Sequence, residues 1–245
     1  DLDEAKLEIP HWFKPEEIYI QTNPLQAKLA HHQVSEIVAE NIFIEPETRN
    51  QGPATGLIAA NLIKLGKGDE PFMIIQVDDL RLPEDSLIGF LNIAEKYINS
   101  TGKYVTSGFE PKWHQSGVDY LLKGELVAEE GGVKIFEVAD FVDRSELDRI
   151  KSLMGSGKLL LHTNHSSMTP NGMLSMFKKY RTEWYEPLMA IANGGDVNSE
   201  FVKMPKDQIE VVTRLSHKDG RSLVIENNFE WVDFGTWEAV SKFYD

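Results

Sequence analysis

The sequence predicts an α/β protein in which a mixed, mostly parallel sheet is flanked by helices. Three observations carry that expectation: strand-like and helix-like patterns alternate three times between Glu17 and Ile98, the third strand is almost wholly apolar, and strand patterns dominate beyond Lys103.

Glu17 to Thr22 alternates and is rich in β-formers, and Leu29, Val34, Ile37 and Val38 follow at helical spacing. Asn41 to Glu45 is again strand-like. Pro53 suits a helix start ahead of Leu57, Ile58, Ala60, Leu62 and Ile63, with Gly66 as its stop. Pro71 to Val77 reads as a strand covered on both faces, and Pro83 to Ile98 as the helix after it. Strand-helix units in series imply a doubly wound core with right-handed crossovers. Tyr104 to Phe109, Tyr120 to Gly124 and Val133 to Val142 read as antiparallel or mixed additions. Helical patterns return at Leu147 to Leu153, Met173 to Tyr180 and Asp207 to Leu215, and the chain closes on a strand, an Asp-Phe-Gly turn and a helix from Thr236. A single domain over residues 1–245 is the economical reading.

Composition narrows the function. The net charge is −14, with 39 acidic against 25 basic side chains, which argues against a nucleic-acid partner. The absence of Cys excludes disulfides and thiolate metal sites, so a cytoplasmic setting is expected. Apolar runs such as Phe72-Met73-Ile74-Ile75 are too short to span a membrane.

Asp78 and Asp79 stand at the C-terminal end of the most apolar strand, where open α/β sheets bind ligands. A carboxylate there can hold Mg²⁺, which takes one or two protein carboxylates. An Asp capping a turn explains the pair equally well. Asp233, in Trp231-Val232-Asp233-Phe234-Gly235-Thr236-Trp237, offers a second carboxylate for the same ion, or a turn between two core tryptophans. In Glu45-Pro46-Glu47-Thr48-Arg49-Asn50-Gln51-Gly52-Pro53-Ala54, Arg49 and a helix N-terminus can face an anion or a base edge, or simply form a capped loop. His31-His32 and the pair His162 and His165 lack metal-ligand spacing and read as surface or strand-end residues. Gly131-Gly132 and Gly194-Gly195 read as turns.

Taken in order, these segments resemble the nucleotidyltransferase domain of the mannose-1-phosphate guanylyltransferases. That family's Glu-Pro-x-x-Arg-Asn-x-x-Pro-Ala motif is matched by Glu45, Pro46, Arg49, Asn50, Pro53 and Ala54, which the resemblance puts on the nucleotide side. Its Pro-Ala-Asp-His stretch falls on Gln76 to Asp79, and Trp-Ser-Asp-Val-Gly-Ser-Trp on Trp231 to Trp237. The resemblance therefore implies Asp78 and Asp233 as Mg²⁺ carboxylates. Thr-Gly-Tyr-Gly-Tyr-Ile is echoed by Ser116 to Leu121, with Gly117 beside the sugar. Phe-Val-Glu-Lys-Pro appears as Phe141-Val142-Asp143-Arg144-Ser145, implying Asp143 on sugar hydroxyls and Arg144 on the sugar phosphate. Asn164 is carried over from an Asn-Ser-Gly-Met-Phe segment, which implies a place for it on the sugar.

The implied fold is the Rossmann-like nucleotidyltransferase fold. The implied reaction is Mg²⁺-dependent transfer of a guanylyl group from GTP to mannose 1-phosphate. The family's Gly-Gly-x-Gly-x-Arg loop and catalytic Lys precede the matched region, and a further segment follows it, so the domain is expected to be incomplete at both ends. The 245 residues alone are expected to show no turnover, and an uncovered sheet edge invites association into homo-oligomers. A non-catalytic sugar-nucleotide-binding relative and a transferase for another hexose 1-phosphate are the alternative expectations. The departures from the family's residues at positions 79, 143, 144, 166 and 210 favour the non-catalytic relative.

Overall fold

The computed structural model describes residues 13–115, 117–235, 237, 240 and 241, and only the backbone of Asp233. Ser116, in the Gly117 motif, and Thr236, the start of the expected last helix, lie outside the described residues.

In chain order the elements are β1 (Ile20–Thr22), α1 (Ala27–Gln33), β2 (Ile42–Ile44), α2 (Gln51–Lys64), β3 (Phe72–Ile74), β4 (Asp79–Leu82) and α3 (Glu84–Thr101). There follow β5 (Tyr104–Phe109), β6 (Tyr120–Glu130), β7 (Val133–Val142), α4 (Leu147–Leu153), β8 (Leu159–His162), β9 (Ser166–Met168) and α5 (Pro170–Tyr180). The chain continues through α6 (Thr182–Ala192), α7 (Val197–Phe201), α8 (Glu210–Lys218), β10 (Ser222–Glu226) and β11 (Glu230–Asp233).

These elements form two compact units, one of residues up to Gly68 with Leu174–Glu210, the other of Asp69–Met173 with the residues from Val211 onward. In the first unit β1 and β2 pair in parallel, with Ile20 opposite Ile42, as the βα rhythm predicts. Helix α2 packs closely on α6, because a Cβ on Gly52 would sit 2.1 Å from the Trp184 ring and one on Gly56 would sit 2.3 Å from Leu188. Small residues on one helix face let the partner's large side chains fill the gap.

The second unit holds a seven-stranded sheet in the order β10-β7-β6-β8-β5-β9-β3, with β5 and β10 also paired. The expected mixed sheet flanked by helices is present, but its balance is antiparallel. Among the described pairings of this sheet, β5–β10 alone is parallel. The physical reason lies in the long β6–β7 hairpin. Gly131 and Gly132 both adopt positive φ, 59° and 80°, as a two-residue hairpin turn of matching twist requires. Side chains alternate across the sheet. Val105, Ile135, Leu223 and Ile225 face α3 through Phe90, Ala94 and Ile98. Leu121, Phe141, Leu160 and Val224 form a separate cluster, and the Phe141 ring meets His217 and Arg214 of α8.

The segment Pro71 to Val77 departs from expectation. It forms a three-residue strand, last in the sheet order, half-buried and antiparallel to β9, and Val77 is 82% exposed. Apolar content alone does not separate an edge strand from a central one. Helix α6 escaped sequence reading because Pro187 lies within it.

Candidate functional site

The site is built where β4 meets β11. The two strands pair antiparallel with Asp79 opposite Asp233, and the amide of Phe234 donates to the carbonyl of Asp78 at 2.8 Å. The two acidic positions singled out in the sequence thus share one end of one ribbon. Successive residues of an extended chain face opposite ways. Asp78 is exposed, while the Asp79 carboxylate turns inward and accepts from Arg81 Nη2 at 2.7 Å and Trp231 Nε1 at 2.8 Å.

A cavity of about 230 Å³ opens here, and Asp78, Gly117, Arg144 and Asn164 all line it. These four come from separate segments of the sequence. Asp143 is not among the lining residues. Its carboxylate accepts from the Ser145 hydroxyl at 2.6 Å and the Ser145 amide at 2.9 Å, and it pairs with Arg214. Those contacts lower its pKa to about 2.

Arg144 is presented by Asp119, which lies within the Ser116 to Leu121 motif but to which the resemblance assigns no role of its own. Arg144 Nη2 and Nε donate to the two Asp119 oxygens at 2.5 and 3.1 Å, and Nη1 donates to the Gly117 carbonyl at 2.5 Å. Such a two-pronged contact fixes the guanidinium plane. The sequence holds a usable signal: Asp119 lies twelve residues before Gly131 and Arg144 twelve after Gly132, so a Gly-Gly hairpin brings them together.

Two amide oxygens complete the lining. Gln76 Oε1 and Asn164 Oδ1 are buried and have no hydrogen-bond partner among the described residues. Asn164 also takes a left-handed conformation, φ 60°, which Asn tolerates better than most residues. Buried polar atoms are normally satisfied, so two orphaned acceptors on residues that line one cavity are unusual and point to an unmet donor or cation nearby. Of the lining residues, the exposed Asp78 offers a carboxylate, the oxygen chemistry that a hard divalent ion such as Mg²⁺ prefers. Among the described residues no group of three His, Cys, Asp or Glu side chains converges as a metal cluster.

The nucleotide-side motif lies in the other unit. Arg49 donates to the Met204 carbonyl and pairs with Glu47. Asn50 caps α2, its Oδ1 accepting from the Gln51 amide at 2.8 Å with φ 67°, and Pro53 is buried in the first turn. Glu45 accepts from Gln21 at 2.9 Å, and burial raises its pKa. The motif is therefore a capped strand-to-helix connection as well as a candidate binding loop. His31 and His32 are exposed and His162 ends β8, as a surface or strand-end reading expects, although His162 is buried, and His165 is buried beyond the strand.

The fold is that of the nucleotidyltransferases. A Thermus thermophilus protein described as a mannose-1-phosphate geranyltransferase superposes with a TM-score of 0.80, 19% identity, and coverage of 94% of this chain and 65% of its own. In sequence, the chain is similar to mannose-1-phosphate guanylyltransferases. It is 26% identical to one from Escherichia coli over 210 residues, 83% of this chain and 44% of that protein. It is 26% identical to another from Salmonella typhimurium over 238 residues, 92% of this chain and 48% of that protein. The chain thus spans less than half the length of these relatives. No family model matches it.

Proposed function

We propose that this chain is part of an enzyme that transfers the guanylyl group of GTP to mannose 1-phosphate, releasing pyrophosphate and giving GDP-mannose, and that the cavity beside β4 and β11 is its sugar-phosphate side. The observation that carries the reading is the convergence in one cavity of Asp78, Gly117, Arg144 and Asn164, four residues to which the resemblance assigns roles one by one.

A phosphate oxygen of mannose 1-phosphate attacks the α-phosphorus of GTP and the pyrophosphate leaves, so the chain's task is positioning and charge stabilisation. Arg144, its plane set by Asp119, offers guanidinium donors to the sugar phosphate. Gly117 leaves open space on the cavity lining, with no atom within 4 Å of where a Cβ would stand. Asn164 and Gln76 add polar side chains to the cavity lining on the sugar side. Asp78, with Asp233 as the second carboxylate, is the group that holds Mg²⁺, whose charge offsets that of the phosphates.

Calorimetric titration with GDP-mannose and Mg²⁺ tests this directly. The wild-type chain is expected to bind in a Mg²⁺-dependent manner, and Asp78→Ala is expected to weaken binding by at least about tenfold. A folded wild-type chain that binds no GDP-mannose would instead favour a non-catalytic relative or another hexose.

A further inference from the structure

A relay of side-chain contacts runs behind the cavity. Arg81, on β4, is buried. Its Nε donates to His165 Nε2 at 2.7 Å, Nη1 and Nη2 each reach the Gln76 carbonyl at 3.3 Å, Nη1 reaches the Asp79 carbonyl at 3.1 Å, and Nη2 reaches the Asp79 carboxylate at 2.7 Å. One guanidinium thus ties together both ends of the 76–79 turn, whose two middle residues, Val77 and Asp78, are exposed.

The far side of the relay is equally defined. An arginine N–H can only donate, so His165 Nε2 accepts and the ring proton sits on Nδ1. Nδ1 faces Thr163 Oγ1 at 2.7 Å and Ser107 Oγ at 3.0 Å. Thr163 Oγ1 itself donates to the Ser107 carbonyl at 3.1 Å, which leaves its lone pairs for the imidazole. With its proton on Nδ1, the ring keeps Nε2 as the acceptor for Arg81. The edges of Phe90 and Phe229 pack on it and fix its plane. On the other side, the Asp79 oxygen that meets Arg81 also accepts from Trp231 Nε1 at 2.8 Å, two residues before Asp233.

We propose that Arg81, aligned by neutral His165, is the positioning residue that sets the Asp78 turn against the β11 end of the ribbon, and so sets the geometry of cation and sugar-phosphate binding. The proposal rests on the function inferred above. The physical reason is multiplicity: three acceptors on two ends of a four-residue turn are met by one planar fork. A lysine brings the charge but not the fork.

The test uses the 245-residue chain, Mg²⁺ with GDP-mannose as the probe, and the indole N–H exchange of Trp231, assigned with Trp231→Phe. Arg81→Lys is expected to lose Trp231 indole protection and about 10–100-fold in Mg²⁺-dependent affinity, the range for groups that orient metal ligands. His165→Gln, which keeps a neutral acceptor, is expected to retain both within a few-fold, whereas His165→Leu loses both. Wild-type affinity and indole protection in folded Arg81→Lys would overturn the proposal. Should Arg81→Lys not fold, equal behaviour of the two His165 variants would overturn it instead. A wild-type chain that binds no probe would refute the proposed function alone, and the indole exchange would still decide whether Arg81 orders the turn.

Discussion

The side chains around the cavity act in pairs, and their substitutions are best read that way. Asp119 is 6% exposed and Arg144 is its ion-pair partner, so the two are coupled in stability as well as in binding. Arg144→Ala leaves that buried carboxylate with the backbone amide of residue 144 as its remaining donor among the described residues, and is expected to destabilise the chain by about 1–3 kcal/mol in urea titration. Arg144→Lys keeps the charge but not the two-pronged contact, so it should retain most of the stability and lose affinity for the sugar phosphate. Equal loss of stability in both variants would show that the planar contact, not the charge, supports Asp119. None of this pairing is visible as a local motif, because Asp119 and Arg144 meet only when the hairpin closes.

Among the strands that carry the site, close backbone approach is the governing constraint. Gly108 on β5 stands opposite His162 on β8, and a Cβ there would lie 2.5 Å from the Leu161 carbonyl oxygen. That neighbour is backbone and cannot rotate away. Gly108→Ala is therefore expected to cost about 1–3 kcal/mol, read from thermal or urea unfolding, while Gly89→Ala on α3, with no atom within 4 Å of the new methyl group, should be neutral or stabilising. β5, β7 and α4 are legible in the sequence to the residue, because each pairs clean periodicity with Gly or polar boundaries. β4 is not: four residues in a two-stranded ribbon, starting at an Asp whose carboxylate turns inward, carry no pattern of their own.

For the folded chain taken together, the buried histidines set the response to acid. Burial pushes the pKa of His162 down to about 4, and those of His165 and His217 down to about 3. The ordinary value is about 6.5, so unfolded chains take up protons that folded chains refuse. The stability these groups contribute is complete above about pH 6.5 and is lost progressively as pH falls toward about 4. Each can add up to about 1.4 kcal/mol per pH unit. Asp143, held at about 2, extends the loss below its ordinary carboxylate range. Urea midpoints measured between about pH 8 and pH 4.5 should therefore fall steadily on the acid side. A flat profile between about pH 7 and pH 5 would mean that these rings are charged or exposed in the folded chain.

Read as a string of residues, the chain already declares its helix and strand rhythm, the exclusion of thiolate chemistry, and the ordered motifs that resemble the guanylyltransferases. These are local properties, written in periodicity, composition and short spacing. Folding settled what depends on distant segments meeting. It made the larger sheet chiefly antiparallel around one Gly-Gly hairpin, and it set Asp79 opposite Asp233 across a ribbon. It also turned Asp143 away toward Arg214, gave Asp119 to Arg144, and buried His165 against Arg81. In each case backbone pairing, a hydrogen bond or an ion pair links residues far apart in sequence, and no one-dimensional pattern fixes which of several donors and acceptors will meet once water is excluded.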